Sequence, residues 1–427
     1  MNLAVRRGKH PLLMLIPVIC GLIPRPLDSY DHRAHLLHEY KKDNAALVEL
    51  STDGHFILVR GTRRVAECPA KRTCLASVLA VYETNAAKPF AELVTQEDGN
   101  FFDAGFVRGH DVKVIEQESN SSPLHFEWNP VSGSRIVIPW TVPGALARTC
   151  IVDDERLLVV GSDRADTISS SKLAIADATG ARELQRPTLP YLGDFGRGLY
   201  SANFQCTAWR SESRYLVTGA SPEPGLYWVS IHPDVPAQVC HTFPHERIHG
   251  YTISPDGSMV GVATEGAENA ADASKLHHPE RPLFLNVLDG KSCKVLRRFE
   301  LQFPEHEIVH TPLLAPKKKY YDNRHFPAEF AARMAISPDN GKLAVAYGVF
   351  KGFDGTTFFG LYSLPDGARL ATLRGDVYRG GFFHGFLNDE VFAQSAPITG
   401  ALQFSPDSQT LYATSKHLRQ WDVSTLR

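Results

Sequence analysis

An all-β protein built from seven similar repeats is the architecture that this sequence predicts. Seven times along the chain an apolar strand runs into a polar turn and out into a second apolar strand, with a period of about 45 to 55 residues. Each repeat is a small sheet that cannot bury both of its faces alone, so neighbouring repeats must stack. These observations predict a seven-bladed β-propeller. The polar turns lie at residues 82–85, 128–133, 176–180, 230–234, 287–290, 363–367 and 421–425.

A second class of hairpin precedes these turns and shares one motif. Ser-Pro-Asp occurs at residues 254–256, 337–339 and 405–407, and proline followed by Asp and Gly or Asn is favourable turn chemistry. With the closing Gln-Trp-Asp-Val at residues 420–423, this pattern resembles the WD-repeat and WD-like β-propeller superfamily over about residues 35–427. No Gly-His dipeptide leads the repeats, and Trp-Asp occurs only in the last one. The resemblance implies four-stranded antiparallel blades.

The two ends of the chain are predicted to meet in one blade. The last repeat stops after its third strand, at Val423, so its fourth strand must come from elsewhere. Residues 34–40 precede the first full repeat, and pairing them there would close the ring and remove two open sheet edges. We therefore predict a single propeller domain at residues 30–427, closed by its N- and C-terminal strands.

The first 25 residues have the charge pattern of a targeting segment. Arg6, Arg7 and Lys9 precede an apolar run at residues 12–23, which is the order of a secretory signal or a short signal anchor. The apolar run is short for a membrane span, and a small-residue cleavage pattern is missing. We expect an extracytoplasmic protein that touches a membrane only through this segment. A cytoplasmic protein with a partly buried N-terminal tail is the alternative.

Composition limits the partners, and the cysteines favour an oxidising compartment. The formal net charge of −2 and a pI near 6.8 argue against nucleic acid as a partner. Removal of a signal containing Cys20 leaves six cysteines, of which Cys68 and Cys74 have a spacing that could close a small disulfide loop. The other strand cysteines, Cys150, Cys206 and Cys240, are expected to be small apolar residues of strands.

Long connections are predicted to cluster on one face of the disc. Insertions are expected at residues 303–330 and 375–399, and long loops at 60–75 and 265–281, all emerging on the same side. They carry cations and aromatic rings, which suit an anionic or extended peptide partner. Ordinary solvated surface is the alternative. The candidate binding residues are Arg63, Arg64, Lys317, Lys318, Lys319, Tyr320, Tyr321 and Arg324.

A metal-site pattern occurs in the first insertion. His306-Glu307-Ile308-Val309-His310 reads as H-E-x-x-H and Glu329 follows, which resembles the zinc site of gluzincin metallopeptidases. The resemblance would make His306, His310 and Glu329 zinc ligands and Glu307 the general base. Pro304 and Pro312 confine any helix here to about two turns. A chance match, a noncatalytic metal site and a catalytic zinc site remain open.

The function that these features favour is noncatalytic binding of a protein or peptide by a loop-rich, locally basic face, without a cofactor. The sequence lacks the nucleophile elbow of hydrolases, a phosphate-binding glycine loop and a dinucleotide fingerprint. The alternative is a propeller enzyme. One possibility is a metal-dependent hydrolase whose site is formed by residues 306–310. The other is an enzyme with its site in the central channel, as in lactonase or quinoprotein-like propellers.

Overall fold

The described part of the protein consists of strands and turns. A computed structural model describes residues 34–40, 43–64, 75–95, 100–107, 111–117, 124–138, 145–151, 156–162, 172–177, 179–184, 207–209, 213–219, 225–244, 246–266, 283–301, 334–351, 354–379, 401–414 and 417–426. Within these ranges no helix is long and apolar enough to cross a membrane.

These strands form seven four-stranded antiparallel sheets within the described residues. Sheet 1 contains β2 (Asp43–Leu50), β3 (Phe56–Arg64), β4 (Leu75–Glu83) and β5 (Ala91–Val94). Sheet 2 contains β6 (Asn100–Phe106), β7 (Val112–Gln117), β8 (Leu124–Trp128) and β9 (Arg135–Val137). Sheet 3 contains β10 (Ala145–Ile151), β11 (Leu157–Ser162), β12 (Lys172–Asp177) and β13 (Gly180–Glu183). Sheet 4 contains β14 (Thr207–Trp209), β15 (Arg214–Gly219), β16 (Gly225–Ser230) and β17 (Gln238–Thr242).

Sheets 5 and 6 also consist of four consecutive strands, whereas sheet 7 combines the last three strands with the first one. Sheet 5 contains β18 (Glu246–Ile253), β19 (Met259–Gly266), β20 (Leu283–Asp289) and β21 (Val295–Glu300). Sheet 6 contains β22 (Met334–Ile336), β23 (Lys342–Lys351), β24 (Asp354–Ser363) and β25 (Arg369–Arg379). Sheet 7 contains β26 (Leu402–Phe404), β27 (Thr410–Thr414), β28 (Leu418–Asp422) and, beside β28, β1 (His35–Tyr40).

Consecutive sheets pack face to face because side chains of a strand alternate between its two sides. In β23, Leu343 and Val345 join the apolar cluster shared with sheet 5, whereas Ala344 and Ala346 join the cluster shared with sheet 7. Similar clusters join sheets 1 and 2, 3 and 4, and 4 and 5. The first strands of neighbouring sheets contact one another, for example β2 with β6 and β22 with β26. The core is therefore a series of seams between sheets.

The N-terminal strand β1 completes sheet 7. It pairs antiparallel with β28, with Tyr40 opposite Leu418 and His35 opposite Asp422. Tyr40 is 1% exposed and lies in the apolar cluster that joins sheets 7 and 1. Its hydroxyl accepts a hydrogen bond from the backbone N–H of Asn85 in sheet 1, at 3.2 Å. The chain termini thus share one sheet, as strand counting predicts.

In sheets 1, 5, 6 and 7 the connection between the first and second strands owes its shape to a serine and an aspartate two residues apart. In the Ser254 turn, the hydroxyl donates to Asp256 Oδ1 at 2.5 Å and accepts the N–H of Met259 at 2.9 Å. Ser337, Ser405 and the proline-free Ser51 turn make the same pair of contacts. The proline is consequently dispensable, while the Ser-x-Asp spacing sets the turn.

One cysteine prediction is wrong. Cys240 forms a disulfide with Cys293, with a Cα–Cα distance of 5.3 Å, and so links β17 of sheet 4 to the turn before β21 of sheet 5. Cys240 packs against the apolar cluster of sheets 4 and 5, next to an irregularity in the pairing of β16 with β17 between Leu226 and Tyr227. Cys68, Cys74 and Cys206 lie outside the described residues.

The predicted insertions lie largely outside the described residues. Residues 303–330 and 380–399 are among those that the structure does not describe. Strand β25 continues to Arg379, so residues 375–379 of the second predicted insertion belong to a strand.

Candidate functional site

The two ends of each sheet carry different kinds of connection. At one end, called the turn end, first and second strands are joined by short turns such as residues 51–55, 254–258, 337–341 and 405–409. At the other, called the loop end, second and third strands are joined by residues 65–74 in sheet 1 and 267–282 in sheet 5. Residues 301–333 and 380–401, which link one sheet to the next, also leave from the loop end. Variable length is therefore concentrated there.

Neighbouring turns at the turn end are bonded to one another. Asn340 of sheet 6 donates its side-chain amide to Asp256 Oδ2 and to Ser258 Oγ of sheet 5, at 2.9 and 3.0 Å. The N–H of Asp339 donates to Ser408 Oγ of sheet 7, at 3.0 Å. Burial alone would raise the pKa of Asp256, but the hydrogen bonds from Ser254, Ser258 and Asn340 outweigh it and lower the pKa to about 2. The carboxylates of Asp256 and Asp339 accept hydrogen bonds from serines of their own turns. The turn end is therefore a hydrogen-bonded scaffold.

Few of the predicted binding residues fall within the described residues. Arg63 is near the end of β3, and its guanidinium pairs with the carboxylate of Glu92 on β5. Arg63 is exposed and Glu92 is partly exposed, so the pair contributes under about 1 kcal/mol to stability. Arg64 is the last residue of β3. Lys317, Lys318, Lys319, Tyr320, Tyr321 and Arg324 lie outside the described residues.

The metal-site pattern at residues 306–310 also lies outside the described residues. His306, Glu307, His310 and Glu329 are not among the described residues, so their arrangement stays a prediction. Within the described residues, no group of three or more His, Cys, Asp or Glu side chains is arranged to hold a metal ion.

A polar cluster that the sequence did not indicate lies at the loop end, where sheets 6 and 7 meet. Asp376 of β25 is 9% exposed and accepts three hydrogen bonds. They come from the N–H and Nδ1 of His417, at 2.8 and 3.0 Å, and from Arg419 Nη2 at 2.6 Å. Arg419 Nε also donates to Glu39 Oε2 of β1, at 2.9 Å. The cluster ties β25, β28 and β1 together.

The cluster orients the imidazole of His417. An ionised carboxylate can only accept, so His417 must carry a proton on Nδ1 to bond Asp376, and in the neutral imidazole Nε2 is then an acceptor. His417 and Asp376 are 41 positions apart in the sequence, and Arg419 and Glu39 are 380 positions apart. No local motif could have shown this arrangement.

The seam between sheets 2 and 3 contains buried ionisable side chains. Lys113 of β7 is 0% exposed and His125 of β8 is 2% exposed. Lys113 and Ile115 alternate with Val112 and Val114, which pack toward sheet 1, so they lie on the side of sheet 3. His125 is opposite Ile115 and shares that side. Burial, and then the positive charge of Lys113, lower the pKa of His125 to about 4.

We predict that acidification weakens the protein through His125. Its pKa is near 6.5 when unfolded and about 4 when folded, so below pH 6.5 the unfolded state binds the extra proton and stability falls as the pH drops toward 4. The loss from this residue amounts to about 3 kcal/mol. Urea unfolding at pH 7.5 and pH 4.5 should show a smaller pH dependence in His125→Gln than in the native chain. The exposed His232→Gln is the control, and equal pH dependence in all three proteins would contradict the prediction.

The strand order and the face-to-face packing of consecutive sheets define a β-propeller domain. No protein-family model matches the sequence, and no curated protein matches it. Similar solved structures include the β-propeller domain of the Trilobed protease from Pyrococcus furiosus, at 13% identity and a TM-score of 0.42, covering 90% of this chain and 95% of that chain. Sqt1 from Chaetomium thermophilum has 9% identity and a TM-score of 0.43, covering 91% of this chain and 98% of that chain.

A further similar structure is larger than this chain. A prolyl endopeptidase has 11% identity and a TM-score of 0.44, and the match covers 89% of this chain but 50% of that one. At this level of identity and structural agreement the matches carry no argument about activity or partners, so the class of protein rests on its own sheet topology.

Proposed function

We propose that this protein is a closed, seven-bladed propeller that works as a noncatalytic binding domain for a protein or peptide. Three observations support the closed ring. An apolar cluster joins sheet 7 to sheet 1, and β1 supplies the fourth strand of sheet 7. The backbone N–H of Leu50 in sheet 1 also donates to Gln403 Oε1 in sheet 7, at 3.1 Å. Contacts of this kind between the first and last sheets are what ring closure requires.

The observation that carries the binding proposal is the difference between the two ends. Short turns at the turn end are cross-bonded between sheets, whereas the long connections leave from the loop end. A rigid framework that presents long, variable loops on one face is suited to recognition, since it needs no catalytic group. We infer that the loop end is the binding face.

The loop end is proposed to recognise an anionic protein or peptide without a cofactor. Arg63 and Arg64 end β3 at this face, and Lys317, Lys318 and Lys319 belong to the long connection between sheets 5 and 6. Cations from both segments would converge on acidic side chains of a partner and bind them by charge-assisted hydrogen bonds. Nucleic acid is not the proposed partner, because the chain as a whole is not basic.

The compartment is proposed to be extracytoplasmic. The Cys240–Cys293 disulfide joins two sheets, and disulfides persist mainly where the surroundings are oxidising. The basic and then apolar order of residues 1–25 supports the same location.

Affinity capture from the native source tests the binding face. The intact protein should retain a partner that is lost when residues 303–330 are deleted. With that partner, Arg63→Glu/Arg64→Glu should weaken binding about tenfold and flatten its salt dependence, because screened charge attraction is removed. Arg182→Glu is the matched control, since Arg182 also forms an exposed ion pair, with Asp177 on sheet 3. Recovery of the same partners by the deletion protein, with affinities indifferent to charge reversal, would contradict the proposed face.

A further inference from the structure

The outer edge of sheet 5 is a six-residue strand that is exposed along nearly its whole length. Strand β21 is the fourth strand, and within the described residues no strand pairs with its outer side. Every β21 residue except Phe299 is exposed, including Val295 at 42% and Leu296 at 51%. In comparison, β9 is exposed but has only three residues, β1 is exposed only at residues 35–37, and six residues of β25 between Leu370 and Asp376 are buried. A long exposed edge strand is a template for adding another strand.

Some backbone N–H and C=O groups of β21 do not take part in the hydrogen bonds to β20, and their positions follow from the strand pairing. The N–H of Leu301 donates to the carbonyl of Leu283, at 2.8 Å, so residue 301 faces β20. Because backbone groups alternate along an antiparallel strand, residues 299 and 297 also face β20, and Arg298 and Glu300 direct their N–H and C=O groups outward. An incoming strand would pair with these two residues.

The side chains along this edge combine positive charge with apolar surface. Lys294 and Arg297 are exposed, whereas Arg298 is committed to Glu246 at 2.7 Å and to the ring of Phe284. Besides Glu246, three carboxylates are near. Asp289 and Asp366 accept N–H groups of their own turns, and Glu300 lies at the far end of the strand. Hydrogen bonds within its turn, and then the nearby positive charge of Arg297, lower the pKa of Asp366. On β21 itself the middle of the edge carries only cationic charged side chains, Arg297 and Arg298.

The charge decides between two possible occupants of the edge. An antiparallel second copy of β21 would set Arg298 opposite Glu300, but Arg298 is already committed to Glu246. Lys294 and Arg297 would gain no acidic partner from such a copy, because Glu300 is the only acidic residue of β21. An acidic segment would instead form cross-strand ion pairs with Lys294 and Arg297. Val295, Leu296 and the partly buried Phe299 would add apolar contacts with the same segment.

We propose that the edge of sheet 5 is a second docking surface, which binds an extended acidic and apolar segment of another protein as a fifth strand beside β21. Arg297 and Phe299 lie on the side of the sheet that faces sheet 6, because Phe299 packs in the cluster of sheets 5 and 6. The added strand should place an acidic residue beside Arg297 and an apolar residue two positions away, beside Phe299. Main-chain hydrogen bonds supply affinity and these two positions supply specificity.

A synthetic peptide tests this docking surface on the full chain. The probe is a fluorescent octapeptide of sequence Glu-Glu-Val-Val-Glu-Glu-Val-Val, in which acidic and apolar residues follow each other along each side of the strand. The comparison peptide has lysine in place of glutamate. We expect the glutamate peptide to bind and the lysine peptide to bind at least tenfold more weakly. Lys294→Glu/Arg297→Glu should weaken binding of the glutamate peptide at least tenfold, whereas Arg182→Glu should leave it unchanged.

A proline variant separates strand addition from simple charge attraction. Glu300→Pro removes an outward N–H and a negative charge, and proline is tolerated at such edge positions because the ladder to β20 is kept. Strand addition predicts weaker binding, whereas charge attraction alone predicts equal or tighter binding. Glu300→Gln removes only the charge and should not weaken binding. Hydrogen exchange should show protection of the Arg298 and Glu300 amides when the peptide is bound.

Several results would overturn the proposal. They are absence of peptide binding, indifference to Glu300→Pro, and amide protection at the loop end in place of β21. Sensitivity to Arg63→Glu/Arg64→Glu would assign the peptide to the proposed binding face instead. A dimer of the protein with β21 protected in the absence of peptide would identify a second copy as the occupant.

Discussion

Deletion of residues 1–40 is expected to abolish cooperative unfolding, whereas deletion of residues 1–33 should leave the melting curve nearly unchanged. The difference is β1, which pairs along β28 and places Tyr40 in the seam between sheets 7 and 1. The loss of this burial and of the ladder hydrogen bonds amounts to about 5 kcal/mol or more, which is comparable to the whole stability of many domains. Thermal unfolding followed by circular dichroism distinguishes the two deletions.

Two further measurements isolate the contribution of β1. A peptide of residues 34–42 added to the protein lacking residues 1–40 should restore part of the transition, because the edge of β28 is then open for pairing. Removal of residues 417–427 takes away β28 itself and should be at least as damaging. Identical melting curves for the chains lacking residues 1–33 and 1–40 would refute the closure of the ring by β1.

The second large effect is expected from the disulfide between sheets 4 and 5. Replacement of both cysteines, Cys240→Ser/Cys293→Ser, should lower the free energy of unfolding by about 4 kcal/mol, because the bond closes a long loop in the unfolded chain. The two residues are 53 positions apart. The indole nitrogen of Trp228 lies 3.3 Å from Cys293 Sγ, so this residue, one of five tryptophans in the chain, reports on the seam within the total fluorescence. Urea titration of the native and variant proteins measures the change.

Reduction provides the matched control. A reductant should lower the stability of the native protein by about the amount lost in the double serine variant, on the same chain-entropy grounds. If the reductant also lowers the stability of the variant, another disulfide is present, such as the predicted Cys68–Cys74 bond. Equal stability of the oxidised native protein and the variant would show that the bond does not constrain the unfolded chain.

Local chemistry explains which features could be predicted from the sequence. The Ser-x-Asp turns need only residues close in the chain, because the serine hydroxyl bonds an aspartate two residues away and a backbone N–H five residues away. Repetition of these turns with apolar strands between them predicts sheets of similar size stacked side by side. Counting strands from the last turn also predicts the partner of residues 34–40, and the structure contains that pair.

Features that depend on distant residues were decided only by the tertiary structure. The Cys240–Cys293 bond depends on the stacking of sheets 4 and 5, which brings two residues 53 positions apart to a Cα–Cα distance of 5.3 Å. The bond from His417 to Asp376 depends on two sheets meeting at their loop ends, and the burial of His125 depends on sheet 3 covering sheet 2. Turn formation and the alternation of apolar residues depend on residues close together in the chain, so the sequence alone predicts them. Contacts between sheets join residues tens to hundreds of positions apart, so the packed fold alone selects them.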